Sequence, residues 1–376
     1  MKYYIIAGEA SGDLHASNLI KALKKQDPKA HFRAWGGDLM AAEGADVVKH
    51  YRDLAFMGFA EVIMNLRTIM RNFDFCKEDL LAHRPDVLIL VDYPGFNLRM
   101  AKFAHAHGIK VFYYISPQIW AWKQNRVKQI KAYVDEMYVI LPFEKDFYKK
   151  FDVDVHFVGH PLIDAVDGFA DQFDDLPTFQ KKHGLAGKPL VALLPGSRKQ
   201  EISRMLPLML QIAEAHPDFQ FVVAGAPSQD PVYYQSILKG SSVKVVYNQT
   251  YQILHCSHAA LVTSGTATLE TAIFKVPQVV CYKGGLLSYL IARSLVKIKF
   301  ISLVNLIMDR EVVRELIQNN LNPKSLAKAF LEIAREGGPR TELLKAYDLL
   351  YEKLGGAGAS DLTASLMLKT LGTIKS

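Results

Sequence analysis

Short, unbroken apolar runs separated by helix-like stretches constrain this chain more than any other feature. Val87-Leu88-Ile89-Leu90-Val91 contains no polar residue, which suits a parallel strand covered on both faces. Tyr3-Tyr4-Ile5-Ile6-Ala7, Val111-Phe112-Tyr113-Tyr114-Ile115 and Glu136-Met137-Tyr138-Val139-Ile140 read the same way. A second series follows at 190–194, 221–224, 243–246, 259–263 and 278–281. Between the series, Asp171, Asp174, Asp175, Pro177, Gly184 and Gly187 have the composition of a helix-containing linker. Two successive βα series predict an α/β protein of two doubly wound Rossmann-like domains, over 1–175 and 186–355. Ligands in such sheets bind beyond the carboxyl ends of the strands, so two domains facing each other would form a cleft. The tail Gly355-Gly356-Ala357-Gly358-Ala359-Ser360 reads as a hinge before an amphipathic helix, Asp361 to Leu371, with Ser360 as its N-cap. That terminal segment, 360–376, is expected to pack back on the first domain.

Composition narrows the class of partner. A net charge of +7 (45 basic against 38 acidic residues) suits an anionic small molecule or a membrane surface. Without a nucleic-acid-binding signature it does not call for nucleic acid. Cys76, Cys256 and Cys281 lack metal-like spacing and read as reduced thiols of a cytoplasmic protein. The N-terminus has no signal-peptide pattern, and no apolar run is long enough to span a membrane.

Four turns carry candidate chemistry. In Val262-Thr263-Ser264-Gly265-Thr266-Ala267-Thr268-Leu269-Glu270, Gly265 would let the backbone turn tightly at Ser264 and approach a ligand. A helix beginning near Thr266 would offer amides to a phosphate. Glu270, one helical turn on, could accept from two ribose hydroxyls. An ordinary capped βα turn uses the same residues. Leu194-Pro195-Gly196-Ser197-Arg198 adds backbone and hydroxyl donors at Gly196 and Ser197 and a forked cation at Arg198, a second element suited to a diphosphate. Neither a P-loop nor a dinucleotide fingerprint is present.

In the first domain, Gly8-Glu9-Ala10-Ser11-Gly12-Asp13-Leu14-His15 has two glycines that admit a close ligand. Asp13 reads as the N-cap of the following helix. His15, in the first turn, is expected to be neutral because a helix N-terminus lowers its pKa. Asp92 ends the strand 87–91, with Pro94 and Gly95 making the turn, and is the best candidate for a general base; the alternative is a cap for a helix near Phe96. Asp152-Val153-Asp154 alternates with apolar residues like an exposed strand, so it reads as surface and not as a metal site. The segment Phe56 to Phe75 spreads apolar residues around more than one helix face. Met57, Phe59, Ile63 and Met64 beside Arg67 and Arg71 suit acyl chains or an anionic bilayer. Leu286 to Ile307 has a similar mix, and Trp120 and Trp122 suit a boundary between apolar and wet regions.

Gly8-Glu9-Ala10-Ser11-Gly12-Asp13, Ser116-Pro117-Gln118-Ile119-Trp120-Ala121-Trp122, Gly159-His160-Pro161, Leu194-Pro195-Gly196-Ser197-Arg198 and Ser264 to Glu270 occur in this order. Together they make the chain resemble the lipid-A-disaccharide synthase family over nearly its full length. The resemblance implies a GT-B type fold and an inverting transfer. UDP-2,3-diacylglucosamine would be joined to 2,3-diacylglucosamine 1-phosphate through a β-1,6 linkage, with release of UDP, at the cytoplasmic face of the inner membrane. It implies that Arg198 and Ser264–Thr266 hold the diphosphate, that Glu270 holds the ribose, and that Asn305 lies near the donor. Asp92 and His15 match polar residues near the acceptor hydroxyl. No cofactor and no metal are expected, the partners are the two substrates and an anionic inner-membrane surface, and a homodimer is left open. The rivals are a UDP-N-acetylglucosamine 2-epimerase and a non-catalytic nucleotide-sugar binding module.

Overall fold

The computed structural model describes residues 1–54, 66–168, 172–285 and 299–372. They fall into two compact units, Met1–Asp167 with Leu354–Ser376, and Gly168–Lys353.

The first unit holds seven strands: β1 (Lys2–Ala7), β2 (His31–Gly36), β3 (Asp46–His50), β4 (Val87–Val91), β5 (Lys110–Tyr114), β6 (Glu136–Val139) and β7 (His156–Phe157). Their spatial order is β3-β2-β1-β4-β5-β6-β7, and every pairing is parallel. Every residue of β4 is buried, as its unbroken apolar run requires. The second unit holds β8 (Leu190–Leu194), β9 (Gln220–Gly225), β10 (Lys244–Tyr247), β11 (Ser257–Thr263), β12 (Gln278–Tyr282) and β13 (Arg314–Ile317). Their order is β10-β9-β8-β11-β12-β13, again all parallel. Both units are therefore doubly wound α/β sheets.

Strands β2, β3 and β13 have no counterpart in the sequence reading, and β7 begins later than the strand-like run read from Asp152. Three of these four are sheet edges, only partly covered, and an edge strand needs no continuous apolar run. The pair Asp152 and Asp154 precedes β7 and does not lie on it; Asp152 occupies a turn with φ +53°.

The terminal helix is Ala359–Thr370, so Ser360 lies inside its first turn and is not its N-cap. The cap comes from elsewhere in the unit: the Asp164 carboxylate accepts from the Gly358 amide (2.6 Å) and the Ser360 amide (2.8 Å). His160 donates its amide to the Leu354 carbonyl at 2.9 Å. The Gly-His-Pro motif thus meets the returning tail through its backbone.

Candidate functional site

In each sheet the strand order reverses once, between β1 and β4 and between β8 and β11. Crevices open at such switch points beyond the carboxyl ends of the strands. The four turns singled out in the sequence are the four that flank these two points.

The turn after β4 is strained. Asp92 and Tyr93 both adopt left-handed backbone conformations, φ +44° and +46°. For non-glycine residues this costs about 1–3 kcal/mol each and needs support from the surroundings. The Asn97 side-chain amide supplies it, donating to the carbonyls of Val91 (3.1 Å) and Asp92 (2.8 Å). The Tyr113 hydroxyl donates to the same Asp92 carbonyl at 2.5 Å. The Tyr93 ring lies where a Gly8 Cβ would sit, 2.5 Å from the nearest ring atoms. Gly8 is therefore required for this packing, and its space is filled by Tyr93, not by a ligand. The following helix begins at Pro94 with Tyr93 as N-cap. Asp92 is thus no helix cap, and Pro94 and Gly95 belong to the helix instead of making the turn.

The Asp92 side chain does not cap that helix. Burial pushes its carboxyl up to about 6, the Glu9 carboxylate adds to the rise, and the Tyr93 amide opposes it. His15 is neutral as expected, but for a different reason. Burial lowers it to about 4, against the opposing pull of Asp164, so desolvation and not the helix end is the cause. Its ring meets that of His160 edge-on at 6.4 Å; burial, then His15, brings His160 down to about 3. Among the described residues no hydrogen bond joins Asp92 to His15. Asp13 is structural in a way the sequence did not reveal. It lies within the helix Ala10–Gln26, and its carboxylate accepts from the amides of Gly37 (2.7 Å), Leu39 (3.1 Å) and Met40 (3.2 Å). It therefore caps the neighbouring helix Asp38–Ala42.

In the second unit the turn after β8 depends on Gly196, whose φ is +101° and whose Cβ would lie 2.5 Å from Glu201 Oε2. That oxygen accepts from the amides of Ser197 (3.1 Å) and Arg198 (3.3 Å). Of the expected backbone donors, the Ser197 amide is therefore engaged by a capping glutamate. The Arg198 side chain remains 67% exposed, 3.7 Å from Glu201, so its guanidinium is what this turn offers an anion.

After β11, both donors of Ser264 are spent: its amide on the Cys281 carbonyl (3.1 Å) and its hydroxyl on the Ile301 carbonyl (2.9 Å). Gly265 and Thr266 are exposed, and among the described residues no acceptor takes the amides of Gly265, Thr266 or Ala267. Gly265 has ordinary backbone angles and open space where a Cβ would be, so its lack of a side chain gives access and does not serve a tight turn. Glu270 is half-buried. Burial raises its carboxyl, while the Tyr251 hydroxyl, donating at 3.1 Å, opposes the rise.

Asn305 requires a correction. It is fully buried, and its amide nitrogen donates to the Val313 carbonyl (2.8 Å) and Glu315 (2.9 Å). Its oxygen accepts from the amides of Val312 (2.7 Å) and Val313 (2.9 Å). With that capacity used inside the protein, it braces β13 and is not presented to a donor. Glu315 joins the same brace by accepting from the Ile301 and Ser302 amides, which fixes the carbonyl that anchors Ser264. Sequence reasoning missed Glu315 and Tyr113, whose partners lie ten or more positions away in the chain, and Asn97, whose partners are nearby carbonyls that no side-chain pattern marks. Glu201 was readable, three residues after the N-cap.

Of the expected lipid-facing residues, Met57, Phe59, Ile63 and Met64 lie outside the described residues, as does most of the segment Leu286 to Ile307. Arg67 and Arg71 are exposed on the helix Leu66–His83. On that helix Phe73, Cys76 and Leu80 enter the core, while Met70 (50%) and Phe75 (42%) stay open to solvent. Trp120 packs edge-on against Phe143 at 5.0 Å. Among the described residues no helix is long and apolar enough to cross a membrane, and no three His, Cys, Asp or Glu side chains cluster as metal ligands would.

A family model described as lipid-A-disaccharide synthetase matches residues 3–366. The lipid-A-disaccharide synthase of Syntrophus aciditrophicus (strain SB) is 40% identical over 371 residues, 97% of this chain and 96% of that protein. That of Myxococcus xanthus (strain DK1622) is 39% identical over 374 residues, 98% and 97%. Among solved structures, a putative UDP-N-acetylglucosamine 2-epimerase from Listeria monocytogenes superposes with a TM-score of 0.69, covering 100% of this chain and 97% of that one at 13% identity. The calicheamicin glycosyltransferase CalG4 gives 0.62, covering 100% and 99% at 16% identity. At such identities the structural likeness speaks for the fold alone.

Proposed function

The chain belongs to the lipid-A-disaccharide synthase family, and from that premise we propose how its two units divide a glycosyl transfer. The enzyme is a glycosyltransferase that forms the lipid A disaccharide. In this reading the second unit holds a UDP-sugar donor, UDP-2,3-diacylglucosamine. Arg198 and the Gly265 and Thr266 amides take the diphosphate, and Glu270 accepts from the ribose hydroxyls. Gly196 and Ser264 shape the two turns. The first unit supplies the base for the acceptor, 2,3-diacylglucosamine 1-phosphate.

The observation that carries the reading is the Asp92 carboxyl, held by a strained turn at the switch point and raised toward neutrality by burial. A base so tuned is ionised at neutral pH yet still basic enough to accept a proton. The Asp92 carboxylate takes the proton of the acceptor 6-hydroxyl as that oxygen attacks the anomeric carbon. The bond from the anomeric carbon to the UDP oxygen breaks on the opposite face, and Arg198 balances the departing charge. His15, held neutral by burial, assists by position and does not take the proton. The exposed Met70 and Phe75 beside Arg67 and Arg71 support docking of this unit on an anionic inner-membrane surface.

The test is UDP release from UDP-diacylglucosamine with and without the monosaccharide phosphate. Release only with acceptor, together with disaccharide product, is expected. Release or isomerisation without acceptor would support an epimerase on the same fold, and no release would leave a binding module.

A further inference from the structure

The loop after β5 carries a feature that the transfer reading leaves unused. Trp122 is 45% exposed, and two cations crowd its ring: Lys123 Nζ lies 4.3 Å and Arg126 Cζ 5.9 Å from the centroid. Attraction to the indole face accounts for one cation at such a site. Two positive groups against a single ring also repel each other. Among the described residues neither cation is paired with an acid. Lys123 has a left-handed backbone, φ +55°, a conformation uncommon for residues other than glycine.

The position of the cluster links it to the proposed base. Strands β4 and β5 are neighbours, with Val91 opposite Tyr114, so the Asp92 turn and the loop 115–126 leave the sheet side by side. The Tyr113 hydroxyl, which hydrogen-bonds the Asp92 carbonyl, feels the positive charge of Arg126. Arg126 is half-buried, which strengthens its interaction with an anion relative to a fully solvated guanidinium.

We propose that Lys123 and Arg126, backed by the Trp122 ring, bind the phosphomonoester of the acceptor sugar and so orient its far hydroxyl toward Asp92. The inference rests on the transfer reading above and adds the group that recognises the acceptor's phosphate. A planar guanidinium with an adjacent ammonium is a recurrent way to hold a phosphate. The sugar face would meet the indole, as amphipathic ligands commonly do.

The test compares the parent enzyme with Arg126→Gln, Lys123→Gln and the double variant, using the acceptor with and without its 1-phosphate. Both KM values are measured, and binding to phosphatidylglycerol vesicles is followed by sedimentation. In the double variant, KM for the phosphorylated acceptor is expected to rise roughly tenfold or more, the scale of a lost charge-assisted contact. KM for the UDP-sugar, KM for the acceptor lacking phosphate and vesicle binding should match the parent. An unchanged acceptor KM, or an equal loss with both acceptors, overturns the inference while leaving the transfer reading intact. So does loss of vesicle binding with no discrimination between acceptors, which would assign the cations to lipid headgroups. A parent enzyme that releases no UDP with either acceptor overturns the transfer reading and this one together.

Discussion

The turn after β4 and the turn after β11 hold equivalent places in their sheets, each at a switch point, yet they are built differently. After β4, two consecutive residues are forced into left-handed conformations, and a carboxyl is left in a desolvated position that raises its pKa. After β11, the backbone is relaxed, Ser264 is tied down through both its donors, and the exposed atoms are amides. Strain and desolvation make a side chain reactive and make it sensitive to protonation. A relaxed, braced turn suits a ligand that must be held and released without chemistry at the protein. The contrast supports the proposed division, with proton transfer in the first unit and diphosphate binding in the second.

The largest effect expected is that of Asp92→Asn. If the first turn does the chemistry, turnover falls by roughly 10²–10⁴-fold, the usual contribution of a general base, while UDP affinity measured by calorimetry stays near the parent value. Stability should move the opposite way. A carboxyl whose folded pKa is raised costs stability as pH climbs from the ordinary carboxyl range through 6. The Asn variant should therefore have the higher Tm at pH 7, with the gap closing below pH 4. Next comes Arg198→Ala, which removes the side chain that the second unit presents to an anion. KM for the UDP-sugar should rise roughly 10–100-fold, equivalent to about 1.5–3 kcal/mol for a charge-assisted contact, with acceptor KM unchanged. A drop in kcat without a donor effect would break the division of labour. Asn305→Ala should be smaller in its kinetic effect. It leaves buried groups of Val312, Val313 and Glu315 without their partner, at about 1–3 kcal/mol per group, so Tm falls by several degrees. Recovery of normal donor KM at low temperature would show a brace and not a ligand contact.

Much of this architecture could be read from the chain because its central strands have no polar residues. The run 87–91 admits little besides a buried parallel strand, and the turns that follow such strands mark the switch points. The edge strands β3 and β13 were not legible and β7 was read as starting too early, since half-covered edges do not need apolar continuity. At the site, residue types were visible and their partnerships were not. Asp13 looked like a cap and is one, but for a helix that begins 25 positions further along the chain. Asn305 matched a donor residue by its neighbours in sequence, whereas its hydrogen bonds run to 312, 313 and 315. The strained turn at Asp92 and Tyr93 is accompanied by packing of the Tyr93 ring over Gly8, a contact between segments 85 positions apart that no local pattern encodes.

The pH dependence of kcat/KM for the acceptor tests the central assignment most directly, because it reports groups of the free enzyme. Asp92 is pushed up to about 6 and His15 down to about 4, so the two candidates titrate in separate ranges. Glu144, fully buried and pushed up to about 7, is excluded by repeating the profile with Glu144→Gln. The account predicts a rate that rises with pH through about 6 as the Asp92 carboxyl ionises, then levels, in both proteins. A profile already flat above pH 5, or a limb that disappears in the Glu144 variant, would contradict it.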